Sequence, residues 1–536
     1  MASVIGKQQN GRTYYYLAES ARVGGRPRIV RQRYLGTAAD IEAAVESGGT
    51  APASSRHLPF GDVAAAWRVL GDLGVVDVVD QVVGRGRREV SVGTYLALAV
   101  LHRISARGAP LDLADWWPTT AAARFVRPRP PAAALARHRL WRALERVSGP
   151  AAERIQAALF ARVLDLVDDE DAPVLALDLP DFATFVDPEP AGARLTGLAL
   201  LVTLDGAIPL VSQLYQHQQP DAASFSTLVG RLTDRYEALA GHRAVTVVIG
   251  GGQHAQADLG TRLGLHFVEP LPPGERPALG RRPATSLDGL PGVTAVDGRA
   301  DVFGTSRRVV VVHSKSLHEA QERALARSLG HASRRLDELA AALAQGTHGR
   351  SRDDVAAEVA RITYFRWGDR VLRTNLTGSG ADLRLRWWVD EAARARLHRE
   401  QFGNQLLVTD HDDWSVADVI TAYRARYHLE TTLTQLGGPL VANPSPSWQW
   451  RDERVAVHAL VGVLATTVVH VMRRRAQLAG LDLSVRDLLH RLAGMQETVL
   501  RHPPTGGRPR TRRLLTDRDD VEQRLYELFD LGEFAP

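Results

Sequence analysis

Tyr423-Arg424-Ala425-Arg426-Tyr427-His428-Leu429-Glu430 is the stretch from which the fold and the chemistry of this chain can best be predicted. It follows Ser415, which has an acidic residue, Asp418, three positions later. That pair resembles a capping box in which Asp replaces the usual Glu. The sequence therefore predicts a helix that begins near Ser415 and contains the quoted stretch.

One face of this predicted helix carries a carboxylate among apolar and aromatic side chains. The residues that recur there at intervals of three and four are Ile420, Tyr423, Tyr427 and Glu430. Arg426 lies one turn before Glu430, so a structural ion pair between them is one interpretation. The other interpretation is that Glu430 has a chemical role. The helix alone leaves both open.

A second carboxylate is predicted at the end of a buried strand. The run 174–177 is apolar and ends at Asp178. A carboxylate buried there would be costly without a partner or a metal ion, although an aspartate that caps a turn is the alternative. The pattern then predicts strands at 198–204, 208–214 and 245–249, with a helix at 225–239 before the last of them.

The spacing of Tyr423, Arg426 and Glu430 resembles the signature helix of DDE transposases of bacterial insertion sequences. The chain as a whole resembles the 1634 group of the IS-four family. Near the N-terminus, YYYLAESARVGGRPR at 14–28 and RQRYLG at 31–36 are similar to the opening of that group. The resemblance implies an α/β fold: a ribonuclease-H-like catalytic core, made of a mixed sheet with flanking helices, with a β-rich insertion. A small N-terminal β-meander and a helical domain would precede this core.

The resemblance also implies a reaction, DNA transposition by metal-dependent strand cleavage and transfer at the ends of an element. Two aspartates and a glutamate of the family hold Mg²⁺ or Mn²⁺, which stabilise the attacking and leaving oxygens. Asp178 and Glu430 match the first and third of these ligands, and Tyr423 and Arg426 match the rest of the catalytic helix motif. The implied partner is double-stranded DNA with terminal inverted repeats, bound by a homodimer.

Two glycines depart from the family pattern. Gly250 stands where the second aspartate is expected, and Gly437 stands where a lysine is expected. His254 is a poor magnesium ligand, and Asp258 lies about two helical turns further on. We therefore expect impaired catalysis. The alternatives are a catalytically silent, host-adopted DNA-binding regulator or inhibitor of transposition, and a pseudogene product without function.

Composition sets the broad class of the protein. The 536 residues contain no cysteine, which excludes disulfides and thiolate metal sites. No secretory signal is visible, and we expect a cytoplasmic, nucleoid-associated protein without a membrane segment. The longest apolar run, 456–472, contains His458 and His470 and predicts a buried helix.

Positive charge is concentrated near the N-terminus. Residues 1–36 contain seven basic residues and one acidic residue, a local charge of +6 in a chain whose net charge is +5. Such a segment predicts contact with a polyanion, although a solvated basic arm remains the alternative. The predicted DNA-binding residues are Arg26, Arg28, Arg31, Arg33 and Trp450. The tryptophan would stack on an unpaired base or lie buried in the core.

The sequence divides into seven predicted segments. They are a basic β-meander at 1–36, a linker at 37–60, a helical DNA-binding or dimerisation domain at 61–170, the first part of the core at 171–260, an insertion at 261–410, the second part of the core with the signature helix at 411–475, and a helical and basic C-terminal region at 476–536. In the insertion we expect strands at 293–314, near Tyr364, at 384–389 and at 405–409, and an amphipathic helix at 316–345.

Overall fold

A computed structural model describes residues 2–9, 12–23, 26–46, 52–85, 90–109, 111–167, 174–185, 194–217, 222–240, 245–249, 265–271, 284–302, 304–345, 351–436, 452–502 and 511–536. In several of these ranges, among them 26–28, 178–185, 194–197 and 452–455, only the backbone is described. The chain forms two compact units. The first unit contains Met1–Val245 and Ala425–Pro536, and the second contains Thr246–Arg424.

The N-terminal segment of the first unit is a three-stranded antiparallel sheet, as the sequence predicts. Its strands are β1 (Ala2–Gln9), β2 (Arg12–Val23) and β3 (Arg26–Gly36). The ring of Tyr34 contacts those of Tyr14 and Tyr16, with centroids 6.2 and 5.2 Å away. The same ring lies 5.8 Å from the ring of His57. The aromatic residues thus form a half-buried contact surface of the sheet.

The segment predicted as a linker contains regular structure, so that prediction is wrong for most of its length. Helix α1 (Ala38–Glu46) and strand β4 (Ser54–Pro59) lie within it. β4 pairs antiparallel with Gln496–Arg501, far along the chain, and the His57 and Thr498 side chains are 3.0 Å apart. Because the pairing partner is so distant in sequence, local composition could not reveal this strand.

A helical region follows, as predicted. Its helices are α2 (Gly61–Asp72), α3 (Val75–Val83), α4 (Val92–Ser105), α5 (Leu113–Trp116), α6 (Ala122–Phe125), α7 (Arg137–Leu144) and α8 (Gly149–Val167). Ser91 caps α4, because its side chain accepts a hydrogen bond from the Thr94 backbone N–H. Gly93 permits α4 to approach α3, since a Cβ there would lie 2.2 Å from the Val76 carbonyl oxygen. α4 is therefore buried along most of its length.

The sheet of the first unit follows these helices. Its strands β5 (Val174–Phe185), β6 (Arg194–Thr203) and β7 (Pro209–His217) are antiparallel neighbours. Helix α9 (Ala222–Ala240) and strand β8 (Val245–Val248) come next in the chain. The prediction that the first strand ends at Asp178 is wrong. β5 continues past Asp178 after a register shift between Leu179 and Ala183, because its second half pairs with the start of β6.

The second unit contains a mixed sheet. Besides β8, its strands are β9 (His266–Pro270), β10 (Thr285–Ser286), β11 (Val293–Val302), β12 (Thr305–Ser314) and β15 (Asn404–Thr409). A separate hairpin lies between β12 and β15 in the chain. The order is β10-β11-β12-β15-β9-β8, and every pair is antiparallel except β8 with β9. The hairpin strands are β13 (Leu372–Thr377) and β14 (Arg384–Val389).

Among the described residues, four α-helices lie wholly within the second unit. They are α10 (Lys315–Ala344), α11 (Arg352–Thr363), α12 (Gly368–Val371) and α13 (Glu391–Glu400). Leu329, Leu336 and Leu343 of α10 are buried with Leu385 of the hairpin in one hydrophobic cluster, so the predicted amphipathic helix is confirmed. A strand near Tyr364 is not: this residue follows α11 and is 92% exposed.

The chain then returns to the first unit, and the boundary between the units falls inside helix α14 (Val416–Gln435). The remaining elements are α15 (Asp452–Leu478), α16 (Val485–Gly494), β16 (Gln496–Arg501), β17 (Thr511–Leu515) and α17 (Asp520–Leu528). β16 lies between β17 and β4 in a three-stranded sheet. The C-terminal region, predicted as helical, therefore also contributes strands.

α15 confirms the buried helix predicted from the longest apolar run. Among the described residues, its Ala456–Leu478 portion is the one helix of at least 18 residues with the apolar composition of a membrane span. However, 83% of its apolar window is buried inside the structure, as in the core helix of a soluble protein. Thr467 and His470 are buried on it.

Candidate functional site

The start of α14 is fixed by the capping box that the sequence predicts. The Ser415 hydroxyl accepts a hydrogen bond of 3.1 Å from the Asp418 backbone N–H. The Asp418 carboxylate in turn accepts from the Ser415 backbone N–H at 3.1 Å and from its hydroxyl at 2.6 Å. Two N–H groups at the start of the helix are thereby satisfied, which sets the register of every residue that follows on α14.

The predicted common face of α14 is divided between core and solvent. Ile420 and Tyr423 are buried, but Tyr427 is 47% exposed. In the second half of the helix the buried side is instead formed by Ala425 and Leu429, together with Leu433. The intervals of three and four place Tyr427 and Glu430 beside this buried stripe rather than within it.

Glu430 forms an ion pair with Arg426, which was one of the two interpretations from sequence. Arg426 Nε donates to Glu430 Oε1 at 2.9 Å. The Arg426 side chain is mostly covered, whereas that of Glu430 is 42% exposed. An i,i+4 pair at such a site stabilises a helix by only about 0.3–0.5 kcal/mol. The carboxylate is thus oriented by Arg426 and remains accessible to a ligand.

A buried histidine holds α14 to its neighbours in the first unit. His470 of α15 places Nε2 3.0 Å from the Thr432 hydroxyl on α14 and Nδ1 2.7 Å from the Gly206 carbonyl oxygen. Burial lowers the pKa of His470 to about 4. The ring is therefore neutral at pH 7: Nδ1–H donates to the carbonyl, and Nε2 accepts from the hydroxyl. This chain of hydrogen bonds connects α14 and α15 to the β6–β7 turn.

The first predicted metal ligand lies in the same unit as Glu430. Asp178 is in β5, directly opposite Ala199 of β6, and its side chain is not described. Gly250, His254, Asp258, Gly437 and Trp450 all lie outside the described residues. The metal site formed by Asp178 and Glu430 therefore stays a prediction, as does the role of Trp450.

The predicted DNA-binding arginines lie on β3. Arg31 is exposed and pairs across the sheet with Glu19, whereas Arg33 is half-buried opposite Leu17. Arg33 Nε is buried without a hydrogen-bond partner among the described atoms. Arg26 and Arg28 are described only in their backbone positions. A basic edge therefore accompanies the half-buried tyrosines, and its contact with DNA stays a prediction.

Sequence reasoning missed a stacked cluster directly after β15 in the second unit. The His411 ring stacks on Trp414 and on His266, with centroid distances of 3.8 and 4.2 Å. His411 Nε2 lies 2.8 Å from the Thr246 hydroxyl. Burial, followed by the charge of His266, lowers the pKa of His411. The signal available in the sequence was the polar run 410–414 immediately after a predicted strand.

The same turn is closed by an arginine. Arg308 of β12 binds both carboxylate oxygens of Asp297, at 3.1 and 2.8 Å. It also donates to the carbonyl oxygens of His411 at 2.9 Å and Trp414 at 2.7 Å. These interactions hold one conformation of the turn, so we assign the cluster a structural role.

Comparison with known proteins gives little further information. No family model matches the sequence, and no curated protein matches it. Among solved structures, a cryo-EM structure of a piggyBac transposase synaptic complex with hairpin DNA is similar, with 8% sequence identity and a TM-score of 0.34. The likeness covers 81% of this chain and 80% of that one. A likeness at this TM-score carries no argument about fold or function.

Proposed function

We propose that this chain is a transposase-like DNA-binding protein of the DDE type, related to the 1634 group of the IS-four family. The observation that carries the proposal is the order of elements. The antiparallel strands β5, β6 and β7 are followed by α9 and β8, and α14 later supplies Glu430. This is the order that a ribonuclease-H-like core with an insertion would have, with Asp178 on its first strand.

The residues present fit the family's metal site only in part. Asp178 and Glu430 offer the oxygen ligands that Mg²⁺ or Mn²⁺ prefers. Glu430 is accessible, and Arg426 orients its carboxylate. The third donor is missing, because glycine at position 250 has no side chain to bind a metal ion. The donor set is therefore incomplete for a two-metal clamp, and we derive no cleavage step from it.

A second candidate function follows from this gap. A protein that keeps the fold but lacks one carboxylate would bind the ends of an element without cutting them. It would act as a regulator or as an inhibitor that forms mixed dimers with an active enzyme. Gly250 favours this candidate over active transposition. In either case the protein would work on DNA in the cytoplasm, associated with the nucleoid.

DNA binding would use the basic edge of the N-terminal sheet. Arg31 is exposed on β3, and Arg26, Arg28 and Arg33 belong to the same strand. Each phosphate contact releases condensed counterions, so affinity falls as salt rises, with a slope that reports the number of contacts. We propose that a homodimer would place two such edges on the terminal inverted repeats.

The test measures binding and nicking separately. Full-length protein is mixed with DNA that carries the repeats flanking its gene, in Mg²⁺ or Mn²⁺, and compared with Gly250→Asp and Glu430→Ala. Glu338→Ala removes an exposed carboxylate of α10 and serves as a matched control. We expect salt-sensitive binding by all four proteins, and nicking by Gly250→Asp alone.

Each other outcome has a definite meaning. Nicking by the unmodified protein that is lost in Glu430→Ala but kept in Glu338→Ala would favour an active transposase over the silent candidate. Absence of salt-sensitive binding would overturn both candidates. Failure of Gly250→Asp to nick, with binding intact, would contradict the assignment of the defect to that one position.

A further inference from the structure

Three side chains of types that ligate metal ions lie close together in the second unit, whereas Asp178 and Glu430 belong to the first. His318 and Glu322 lie one turn apart on α10, and His398 lies in the last turn of α13. One ligand atom of each residue lies within 4.8 Å of the other two. His398 Nδ1 is 3.8 Å from Glu322 Oε1. Among the side chains that are described, this is the one group of at least three with such spacing.

The first histidine is already oriented as a ligand would be. His318 Nδ1 lies 3.1 Å from the backbone carbonyl oxygen of Phe402. A carbonyl can only accept, so Nδ1 carries the hydrogen and Nε2 keeps its lone pair. Metal-bound histidines are commonly held in this way, with the second ring nitrogen donating to a backbone carbonyl. The fold therefore leaves Nε2 of His318 as the nitrogen that can bind a metal ion.

A glycine allows the turn after α13 to press against the start of α10. Gly403 has a φ of +73°, and a Cβ there would lie 2.7 Å from the Ser314 carbonyl oxygen and 2.9 Å from His318 Cβ. Its N–H donates to Gln321 Oε1 at 2.8 Å. This close approach brings the Phe402 carbonyl to His318.

The neighbouring phenylalanine fills the space behind both imidazoles. Phe402 is fully buried, and its ring centroid lies 5.8 Å from that of His318 and 4.5 Å from that of His398. One side of the group is thus apolar. Glu322, whose side chain is 50% exposed, provides the solvent side. Phe402 thus fixes the positions of the two imidazoles, while the exposed Glu322 carboxylate can rotate toward an ion bound between them.

The geometry points to a site for a divalent transition-metal ion, of which Zn²⁺ is the one the donor set fits best. Two imidazoles and one carboxylate are a common three-residue zinc set, with water in the fourth position. The ligand atoms of a tetrahedral zinc ion are about 3.3 Å apart, so small rotations of the three side chains would close the site. Imidazole is a poor ligand for Mg²⁺, so the group does not suit Mg²⁺, one of the two ions proposed for Asp178 and Glu430.

The site would connect α10 to α13 within the second unit. Because the free energy of metal binding adds to the stability of the folded state, zinc should stabilise this unit in proportion to ln(1 + [Zn²⁺]/Kd). The inference is independent of the proposed function. It requires neither DNA binding nor strand cleavage.

The test is a calorimetric titration of metal-free, full-length protein with Zn²⁺. We expect one high-affinity site per chain, and a Kd raised at least tenfold by His318→Ala, His398→Ala or Glu322→Gln. His331→Ala changes an exposed histidine of α10 and is the matched control, because this chain has 18 histidines and weak surface binding must be subtracted. Mg²⁺ in place of Zn²⁺ should give no such site.

Glu322→Gln keeps the size of an exposed side chain, so it separates ligation from folding. Its circular dichroism and melting temperature without metal should equal those of the unmodified protein, while zinc raises its melting temperature less. The proposal would be overturned by equal Zn²⁺ affinity in His331→Ala and Glu322→Gln, or by the absence of a site above the surface background.

Discussion

The two candidate metal sites differ in what reveals them. The sequence reveals the predicted carboxylate site of the first unit, whereas only the structure reveals the histidine cluster of the second, which consists of His318, Glu322 and His398. Glu430 stands out in the sequence because its motif lies on one helix, and Asp178 because it follows an apolar run. The Asp178 side chain is not described, so its convergence with Glu430 stays a prediction. The histidine cluster shows no motif, since His398 is far from the other two in the chain, yet its three side chains meet. Local spacing thus reveals candidate ligands, whereas tertiary contacts decide which of them converge.

Removal of His470, which connects α14 to its neighbours, should cause the largest loss of stability. His470→Ala leaves the buried Thr432 hydroxyl and the Gly206 carbonyl without their partner and opens a cavity. We expect a loss of about 3 kcal/mol in the free energy of unfolding, measured by urea denaturation. The control His490→Ala, at an exposed position of α16, should change it by less than about 0.5 kcal/mol. Equal effects of the two variants would mean that His470 does not hold α14.

A glycine substitution tests whether the fold forms the histidine cluster. Gly403→Ala places a methyl group against the Ser314 carbonyl and the His318 side chain, in a left-handed backbone conformation. We expect a loss of about 2–3 kcal/mol and at least tenfold weaker zinc binding.

The matched control is Gly380→Ala, which has a φ of +55° but no atom within 4 Å of its Cβ. It should lose only about 1 kcal/mol and keep its zinc affinity. If both alanine variants bind zinc equally well, the close approach at Gly403 is not what positions His318.

A pH titration sharpens the assignment of His470. Its pKa is about 4 in the folded protein, compared with the ordinary value of 6.5 that applies in the unfolded chain. The unfolded chain therefore takes up the proton first, so the stability due to the neutral ring is complete above pH 6.5 and is lost as the pH falls toward 4. Between pH 8 and pH 5 the loss should be about 2 kcal/mol.

The free energy of unfolding must be compared between two proteins that differ only at residue 470, because other buried groups titrate in the same pH range. Burial also lowers the pKa of His102 to about 4 and raises that of Asp62 to about 6. Urea denaturation of the unmodified protein and of His470→Gln at several pH values removes their contributions. Parallel stability curves for the two proteins would show that His470 is not the titrating group.

The smallest change in stability is expected for the ion pair between Arg426 and Glu430 on α14. Arg426→Ala breaks the ion pair with the half-exposed Glu430, and the free energy of unfolding should fall by less than about 1 kcal/mol. A loss of several kcal/mol would mean that the pair is a structural element. Glu430→Gln, assayed in the same denaturation series, shows whether the charge or the hydrogen bond matters.

Much of the local structure could be predicted from sequence because local physics determines it. Ser415 and Asp418 mark the start of α14 through backbone N–H groups that only nearby side chains can satisfy. The leucines of α10 repeat at helical spacing, and the predicted 316–345 is observed as Lys315–Ala344. Each of these signals comes from within a few turns of chain.

The rest depends on residues distant in sequence. The residues of β4 are predicted as part of a linker because the strand that pairs with them, β16, is near the other end of the chain. β5 passes Asp178 because the start of β6 supplies hydrogen bonds that no local pattern shows. His318 and His398 meet only because of the turn at Gly403. For this reason the sequence alone did not reveal the group formed by His318, Glu322 and His398.

The pairing of β4 with β16 has a consequence for synthesis. The first unit is built from two separated segments of chain, and His57 meets Thr498 across 441 residues. A ribosome that adds about 5–20 residues per second leaves β4 without its neighbour for tens of seconds. The second unit is continuous in sequence and has emerged entirely before β16 is made. During that interval β4 cannot form its pairing with β16, and an unpaired strand can pair with another chain instead. We therefore expect slow translation beyond α14 to reduce the yield of folded protein.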